Sequence, residues 1–477
     1  MPPSTSQPVD VDVEHLDANG DGVARHRGLP LTIPFVIPGE RVRVQIDRGA
    51  AVLVKILRSS PHRVTPKCRH FGPCGGCAWQ HIAYPHQLAL KAALVQRLVR
   101  DAAPAAPPVL DTLAPAPSSG DVPAPFDTAA PWGYRQKAHF VFASGDEGQG
   151  ARRPGTLVMG HYGRGTRRVV PVQECPVHDE RGNALAFALK SSLDKAGVEA
   201  AASPDARRPA RGSAQPGVLR SVAIRVAVTT DELLATLVIT NDTDRALRTA
   251  TRRLLERAAP TTSLHVNLHP RQDAFIFGRE TKRIAGRNRV REDVAGTGFL
   301  ISPTAFFQTN VHAAEALVGL VTAVIPQGAP VLDLYAGAGL FALPLAKSGH
   351  HVLAVEENRD AVADGEVSRR LNRIDEAGCR FIAQPVEVAL RRIRSAEVII
   401  LDPPRSGCSP DVLDHLHRLQ PQRIVYVSCN PEALARDLGV LTRDGFSVLS
   451  IQPVDMFPHT AHIETVVTMS RDRRVGL

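Results

Sequence analysis

No apolar run in this chain approaches the ~20 residues of a bilayer span. The N-terminus, Met1-Pro-Pro-Ser-Thr-Ser-Gln-Pro, has neither the basic start nor the apolar core of a secretory leader. A cytoplasmic location with no membrane contact is therefore expected. Cysteine is scarce and odd in number: Cys68, Cys74, Cys77, Cys175, Cys379, Cys408 and Cys429. That excludes a secreted disulfide framework and favours metal-binding or catalytic thiols. Internal repeats are absent, so no solenoid is expected. Asp and Glu are missing from residues 61–100, which hold Arg63, Lys67, Arg69, Lys91, Arg97 and Arg100.

What is present is ordinary globular material. The chain has 477 residues, 43% hydrophobic and 22% charged, with a mean hydropathy of −0.09. That is enough apolar mass for about two to four domains. The net charge is +9, which permits nucleic acid as a partner. The surplus is local: besides 61–100, the run RETKRIAGRNRVRE (279–292) carries six Lys/Arg against two Glu. Six cations near the first cysteines exceed what a thiolate cluster needs, so phosphate binding is expected there as well.

The pattern divides the chain into three. Residues 1–60 read as short strands around the turn ANGDG (18–22), with VRVQIDR (42–48) and AVLVKILR (51–58), hence a small β-barrel. Residues 61–290 read as a mixed α+β domain. Its strands are AHFVFA (138–143), SVAIRVAV (221–228), LLATLVIT (233–240) and AFIFG (274–278), and 243–258 is helical. Two Pro/Ala-rich stretches, 101–131 and 203–217, read as linkers or surface excursions. Residues 291–477 alternate strand and helix, which implies a doubly wound, Rossmann-like parallel sheet. The close final pair, FSVLSIQP (446–453) and HIETVVTMS (462–470), implies an antiparallel addition at one edge.

Within that sheet, VLDLYAGAGLFALPLA (331–346) is strand, glycine turn, helix, and Glu356 lies 19 residues beyond Gly337. Glycines admit a ligand to the backbone, and the acid suits a ribose diol. NAD and S-adenosyl-L-methionine both carry such a diol. Asp333 favours the latter, because a carboxylate suits an ammonium and a sulfonium better than a pyrophosphate. Asp402-Pro403-Pro404-Arg405 stiffens the exit of the fourth strand. Cys429, in SCNP, ends the fifth strand. A thiol there is commonly an apolar filler, but it shares a sheet edge with Gly337, Glu356 and Asp402. Glu464, entering the last strand, is either a solvated edge residue or a placed base. Thiolate, carboxylate and methyl donor together form a complete set for methylating C5 of uracil. The spacing Cys68-x5-Cys74-x2-Cys77, with Cys175 98 residues later, makes a four-thiolate site. Structural zinc more often uses two short hooks.

These motifs resemble the RNA uracil-C5 methyltransferases, in particular the 23S ribosomal RNA branch with an iron–sulfur cluster. The resemblance rests on Phe306, Gln308 and Asn310, on DLYAGAG (333–339), VEEN (355–358), DPPR (402–405), SCNP (428–431) and HIETV (462–466). It implies Cys429 as nucleophile and Glu464 as base. It implies donor contacts at Gln308, Tyr335, Glu356 and Asp402, and Phe306 stacking on the target base. It also implies a 4Fe–4S cluster on Cys68, Cys74, Cys77 and Cys175. GDGVAR (20–25) with VIPGE (36–40) resembles a TRAM domain, an RNA-binding barrel, and YRQKAHF (134–140) resembles a motif of the family's middle domain. The expected protein is a monomer acting on 23S ribosomal RNA. The same chemistry on tRNA, an NAD oxidoreductase and a non-catalytic RNA-binding cluster protein are the alternatives. The family often has Asn where this chain has Leu340, so that contact is not carried over.

Overall fold

The computed structural model describes residues 7–47, 50–114, 131–145, 156–201, 217–256, 261–271 and 275–471. The chain opens with five antiparallel strands: β1 (Val9–Leu16), β2 (Gly22–His26), β3 (Leu29–Ile33), β4 (Arg41–Asp47) and β5 (Ala50–Arg58). Their order is β3-β2-β1-β4-β5. Alternation drives it: Val11 and Val13 of β1 point inward with Ile33, Val42 and Val44, while Asp10 and Asp12 face out. The 18–22 turn forms as expected. The Asp17 carboxylate accepts from the Asn19 and Asp21 N–H groups, and Gly20 takes φ +85°.

The middle of the chain supplies α1 (Tyr84–Ala102), β6 (Lys137–Ser144), β7 (Leu157–Tyr162), β8 (Val169–Pro171), α2 (Glu180–Lys195), β9 (Leu219–Ala227), β10 (Glu232–Ile239), α3 (Arg245–Leu255), β11 (Thr262–Leu268) and β12 (Glu280–Ala285). The strands order as β12-β11-β10-β9-β6-β7-β8. Residues of α2 and α3 share a core with β6, β9 and β10. Helix α1 does not join this core. Its Val95 and Val99 pack with Leu334 and Ile399 of the C-terminal sheet. The Pro/Ala-rich stretch that follows is pinned rather than loose where it is described: Leu110 and Leu113 donate N–H bonds to Ile451 and Pro453. Residues 115–130 and nearly all of 203–217 lie outside the described residues.

One expected strand is corrected. Residues 275–278 of AFIFG form no strand, and Ala274 is outside the described residues. Phe275 and Ile276 are exposed, so this apolar run is not drawn into a buried layer. The edge strand is instead the charged ETKRIA of β12, whose ladder bonds to β11 do not depend on burial.

The hairpin β13 (Val290–Val294) and β14 (Thr297–Ile301) leads through α4 (Val311–Ala323) into the C-terminal sheet. There follow β15 (Val331–Leu334), α5 (Ala342–Lys347), β16 (Val352–Glu356), α6 (Arg359–Leu371), β17 (Cys379–Ala383), α7 (Val386–Leu390), β18 (Val398–Leu401), α8 (Pro410–Leu419), β19 (Arg423–Ser428), α9 (Pro431–Arg443), β20 (Phe446–Val454) and β21 (Glu464–Arg471). The order is β17-β16-β15-β18-β19-β21-β20. Strands β15 to β19 run parallel, and β21 is antiparallel to both β19 and β20. The order reverses between β15 and β18. Ligands of doubly wound sheets bind at such a switch point, outside the carboxyl ends of the strands.

Candidate active site

Strand register brings together two residues 35 positions apart. β19 and β21 pair with Ser428 opposite Thr465. One more step along that antiparallel register sets Cys429 opposite Glu464. Cys429 is half-buried, and Glu464 is buried. Burial, then the Glu464 and Asp402 carboxylates, push the Cys429 thiol up to about 11, against the pull of Arg405. Burial, followed by Asp402, drives Glu464 well above the usual carboxylate range, and Arg405 again opposes. Arg405 is therefore the cation that both groups feel. Its Nη2 lies 3.4 Å from His462 Nδ1.

The expected donor contacts collect at the switch point. Asp402 leaves β18 with its N–H on the Leu334 carbonyl at 3.3 Å. Burial and then Glu356 push it up to about 7. Glu356 ends β16, and its carboxylate accepts from the Gly337 N–H at 2.9 Å and the Asn358 N–H at 2.7 Å. Gly337, at φ +56°, thus turns the chain toward the acid. Tyr335 is a non-glycine residue at φ +63°, a strained conformation of the kind that concentrates at ligand sites. Asp333 is buried with neither oxygen in a hydrogen bond of normal geometry, and burial followed by Asp402 holds it well above the usual range. Among the described residues no side-chain cation offsets Asp333 or Asp402, and acids so placed suit a cationic ligand. Gln308 is buried on the loop before α4, and Phe306, two residues earlier, is 70% exposed.

Two residues that the sequence did not single out hold that loop. Lys137 Nζ donates to the Ala305 carbonyl at 3.1 Å, and Arg225 Nη2 donates to the same oxygen at 3.3 Å. Burial, Arg225 and Arg135 push Lys137 down to about 7. The signal available for Lys137 was its place in YRQKAHF; Arg225 left none. A cleft of about 1000 Å³ opens beside the loop, lined among others by Arg271, Phe275, Arg279, Thr304 and Asn358.

The four expected metal-site thiols also converge. All are free and half-buried. After burial, the Cys175 thiol is raised by Cys77, Cys74 and Cys68, up to about 12, and Cys77 is raised by Cys74 and Cys68, up to about 11. Among the described residues the tight donor group is Cys175 with His161 and His178. Cys408 is different: it packs in the core, and its N–H bonds the Asp437 carboxylate.

The basic surface needs correcting. Lys91 is fully buried on Asp455 at 2.5 Å, and Arg63 forks onto buried Glu40. In 279–292, Lys282, Arg287, Arg289 and Arg291 each pair with an acid. Arg63 and Lys91 are thus spent inside the fold, whereas Lys282, Arg287 and Arg291 are paired at the surface and Lys67, Arg69 and Arg100 stay exposed.

Among the described residues no helix is long and apolar enough to cross a membrane. Residues 219–472 match the family model "tRNA (Uracil-5-)-methyltransferase", and residues 6–56 match the TRAM domain. An uncharacterised RNA methyltransferase of Gloeobacter violaceus is 35% identical over 98% of this chain and 97% of its own length. One from Listeria innocua is 30% identical over 98% of each chain. The crystal structure of the Pyrococcus abyssi tRNA (uracil-54, C5)-methyltransferase with S-adenosyl-L-homocysteine superposes with a TM-score of 0.72. It is 25% identical and covers 97% of this chain and 100% of that one. With the fold, the strand-end site and these matches in agreement, the chain belongs to the tRNA (uracil-5-)-methyltransferase family and carries a TRAM domain.

Proposed function

We propose that this protein transfers a methyl group from S-adenosyl-L-methionine to C5 of a specific uridine in 23S ribosomal RNA, through a covalent bond between Cys429 and C6. The observation that carries the reading is the register that faces Cys429 with Glu464 beside the acidic switch point. The Cys429 thiolate adds to C6, and the C5–C6 π pair moves toward O4 as an enolate. The enolate carbon C5 takes the methyl group, and the breaking C–S pair returns to sulfur, leaving a neutral thioether. Glu464 then removes the C5 proton. The C–H pair re-forms C5=C6, and the C6–S bond breaks to release the thiolate. A carboxylate with a raised pKa is the stronger base for that step.

Donor binding is assigned to Gln308, Tyr335, Glu356 and Asp402, with Asp333 beneath them. The acids of this set match an ammonium, a sulfonium and a ribose diol, and the related Pyrococcus abyssi structure holds the thioether product. Phe306 offers an exposed ring for the target base. Cys68, Cys74, Cys77 and Cys175 are assigned to a 4Fe–4S cluster. Three close thiols plus one remote thiol match the ligand pattern of such a cluster better than the paired hooks of structural zinc. Methyl transfer consumes no electrons, so the cluster would supply anchoring at this site.

The same reaction on tRNA is the second reading, favoured by the substrate named for the Pyrococcus abyssi protein. The cysteines favour the ribosomal branch. Labelled donor offered to 23S ribosomal RNA and to tRNA, followed by mapping of 5-methyluridine, decides. Label in tRNA alone would overturn the ribosomal assignment, and label in neither would overturn the activity.

A further inference from the structure

Glu464 enters β21 from residues 455–463, the loop that returns from β20. This loop is gripped by residues that flank the cysteine site. The N–H groups of Ala78 and Trp79, directly after Cys77, donate to the His459 carbonyl at 3.2 and 2.9 Å. Tyr134, packed with Cys77 and Cys175, donates its hydroxyl to the Pro458 carbonyl at 3.0 Å. Trp132, from the same apolar cluster, stacks on the His459 ring at 3.9 Å. The His459 N–H donates to Gln87 Oε1 at 2.9 Å, and its Nε2 lies 3.0 Å from the Pro131 carbonyl. His459 itself sits at φ +65°. A residue with a Cβ keeps that conformation only where its surroundings over-determine it, and such residues cluster at functional sites.

We propose that this loop is a strap through which the cysteine site sets the position of Glu464, with Tyr134 and His459 as positioning residues for proton abstraction. The inference rests on Glu464 being the base. Cys429 hangs from β19 and the donor acids from β15, β16 and β18, outside the strap; the strap meets the Gln308 loop at one bond, Asn310 Nδ2 to the Met456 carbonyl at 3.2 Å, away from Tyr134 and His459. Glu464 is tied to the strap: it follows directly on it and pairs with Val454, the β20 residue from which the strap departs, while the next residue, Thr465, pairs with Ser428 of β19. Disturbing the grip therefore falls on the last step, and the methylated RNA stays bonded to Cys429.

The test is single-turnover methylation with two readouts, methyl incorporated and RNA released from the protein on a denaturing gel. The full chain carries either Tyr134→Phe, which keeps the ring and drops the hydroxyl, or His459→Gly, which keeps the backbone and drops the ring. Wild-type protein stripped anaerobically with a chelator is the third arm. Expected is release slowed about five- to tenfold, the worth of one or two hydrogen bonds, with methyl incorporation and donor affinity within about twofold of wild type. Parallel loss of both readouts, or loss of RNA affinity alone, would overturn the strap. Unchanged release in all three arms would do the same. Glu464→Gln runs alongside. If that variant traps no adduct, the base assignment has failed and takes the strap with it. If it traps adduct while the strap variants do not, only the strap has failed. Thermal melting of each variant separates these outcomes from unfolding.

Discussion

The charge of the methyl donor should arm the nucleophile. With its thiol pushed up to about 11, Cys429 at pH 8 is thiolate in roughly one molecule in a thousand. Burial and the Glu464 and Asp402 carboxylates cause this. In the proposed reaction the sulfonium sits one methyl group from C5 while the thiol sits at C6, about 6 Å away. A unit charge at that distance is worth about 2.8 kcal/mol at an effective dielectric of ~20, or about two pKa units. The midpoint of Cys429 ionisation should move down to about 9. Iodoacetamide reports it: at pH 8 the alkylation rate of the Cys429 peptide, followed by mass spectrometry, should rise ~100-fold with S-adenosyl-L-methionine. S-adenosyl-L-homocysteine has the same shape without the charge and should leave the rate within a few-fold. Equal acceleration by both ligands, or protection by both, would refute the electrostatic argument. Arg405→Gln supplies the opposite sign. It removes the cation that lowers this thiol, so alkylation of the free protein should slow severalfold.

Four further outcomes follow from the same geometry. Cys429→Ala should abolish methylation while donor affinity, read by calorimetry, stays within about twofold; turnover above a few per cent of wild type would exclude Cys429, and buried Cys408 is in no position to replace it. Glu464→Gln should accumulate a protein–RNA band on denaturing gels that requires donor and vanishes with Cys429→Ala; wild-type turnover without that band would assign the base elsewhere. Protein purified without air should be brown, with about four iron and four sulfide per chain, and colourless stoichiometric zinc would sink the cluster. Asp402, raised to about 7, stabilises the free fold below the unfolded carboxylate pKa and loses that contribution as pH rises through about 7. The donor pairs with its charged form, so the melting-temperature gain from S-adenosyl-L-methionine over S-adenosyl-L-homocysteine should grow between pH 6 and 8; a flat difference would remove Asp402 from the sulfonium.

Much of this was legible in the residues, and the exceptions share a cause. Strands buried on both faces announce themselves: the VIIL of β18 and the IVYV within β19 stand out as unbroken apolar runs between helices. Edge strands do not, because one side faces water. ETKRIA of β12 looks like surface and forms a ladder, whereas AFIFG looks like a strand and leaves its Phe275 and Ile276 exposed. Charge misled for a related reason. The acid-free run 61–100 finds its acids in distant segments, Glu40 and Asp455, and no local count could show that. Cys429 and Glu464 were each visible at a strand end, but their meeting needed the β19–β21 register, which follows from the whole sheet.

The same register explains why an acidic site can house a thiol nucleophile at all. A thiolate placed against Glu464 and Asp402 is disfavoured in the free protein, and those carboxyls are themselves held toward their neutral forms by burial, with Asp402 acting on Glu464 and Glu356 acting on Asp402. Each group resists ionising while its neighbours are ionised. A bound sulfonium relieves all of them together: it makes the charged form of Asp402 favourable, and its field lowers the cost of the thiolate. On the proposed reading, attack on the uridine is thereby made conditional on the donor being present. That order has chemical value, because an enolate formed without a methyl source could only be protonated or expelled. Arg405 tempers the resting state of Cys429 and Glu464 without abolishing it, since it is exposed and burial outweighs it at both groups. On the proposed reading Asp402 does more than bind the donor: with burial and Glu464 it keeps the Cys429 thiol protonated until the donor's charge arrives.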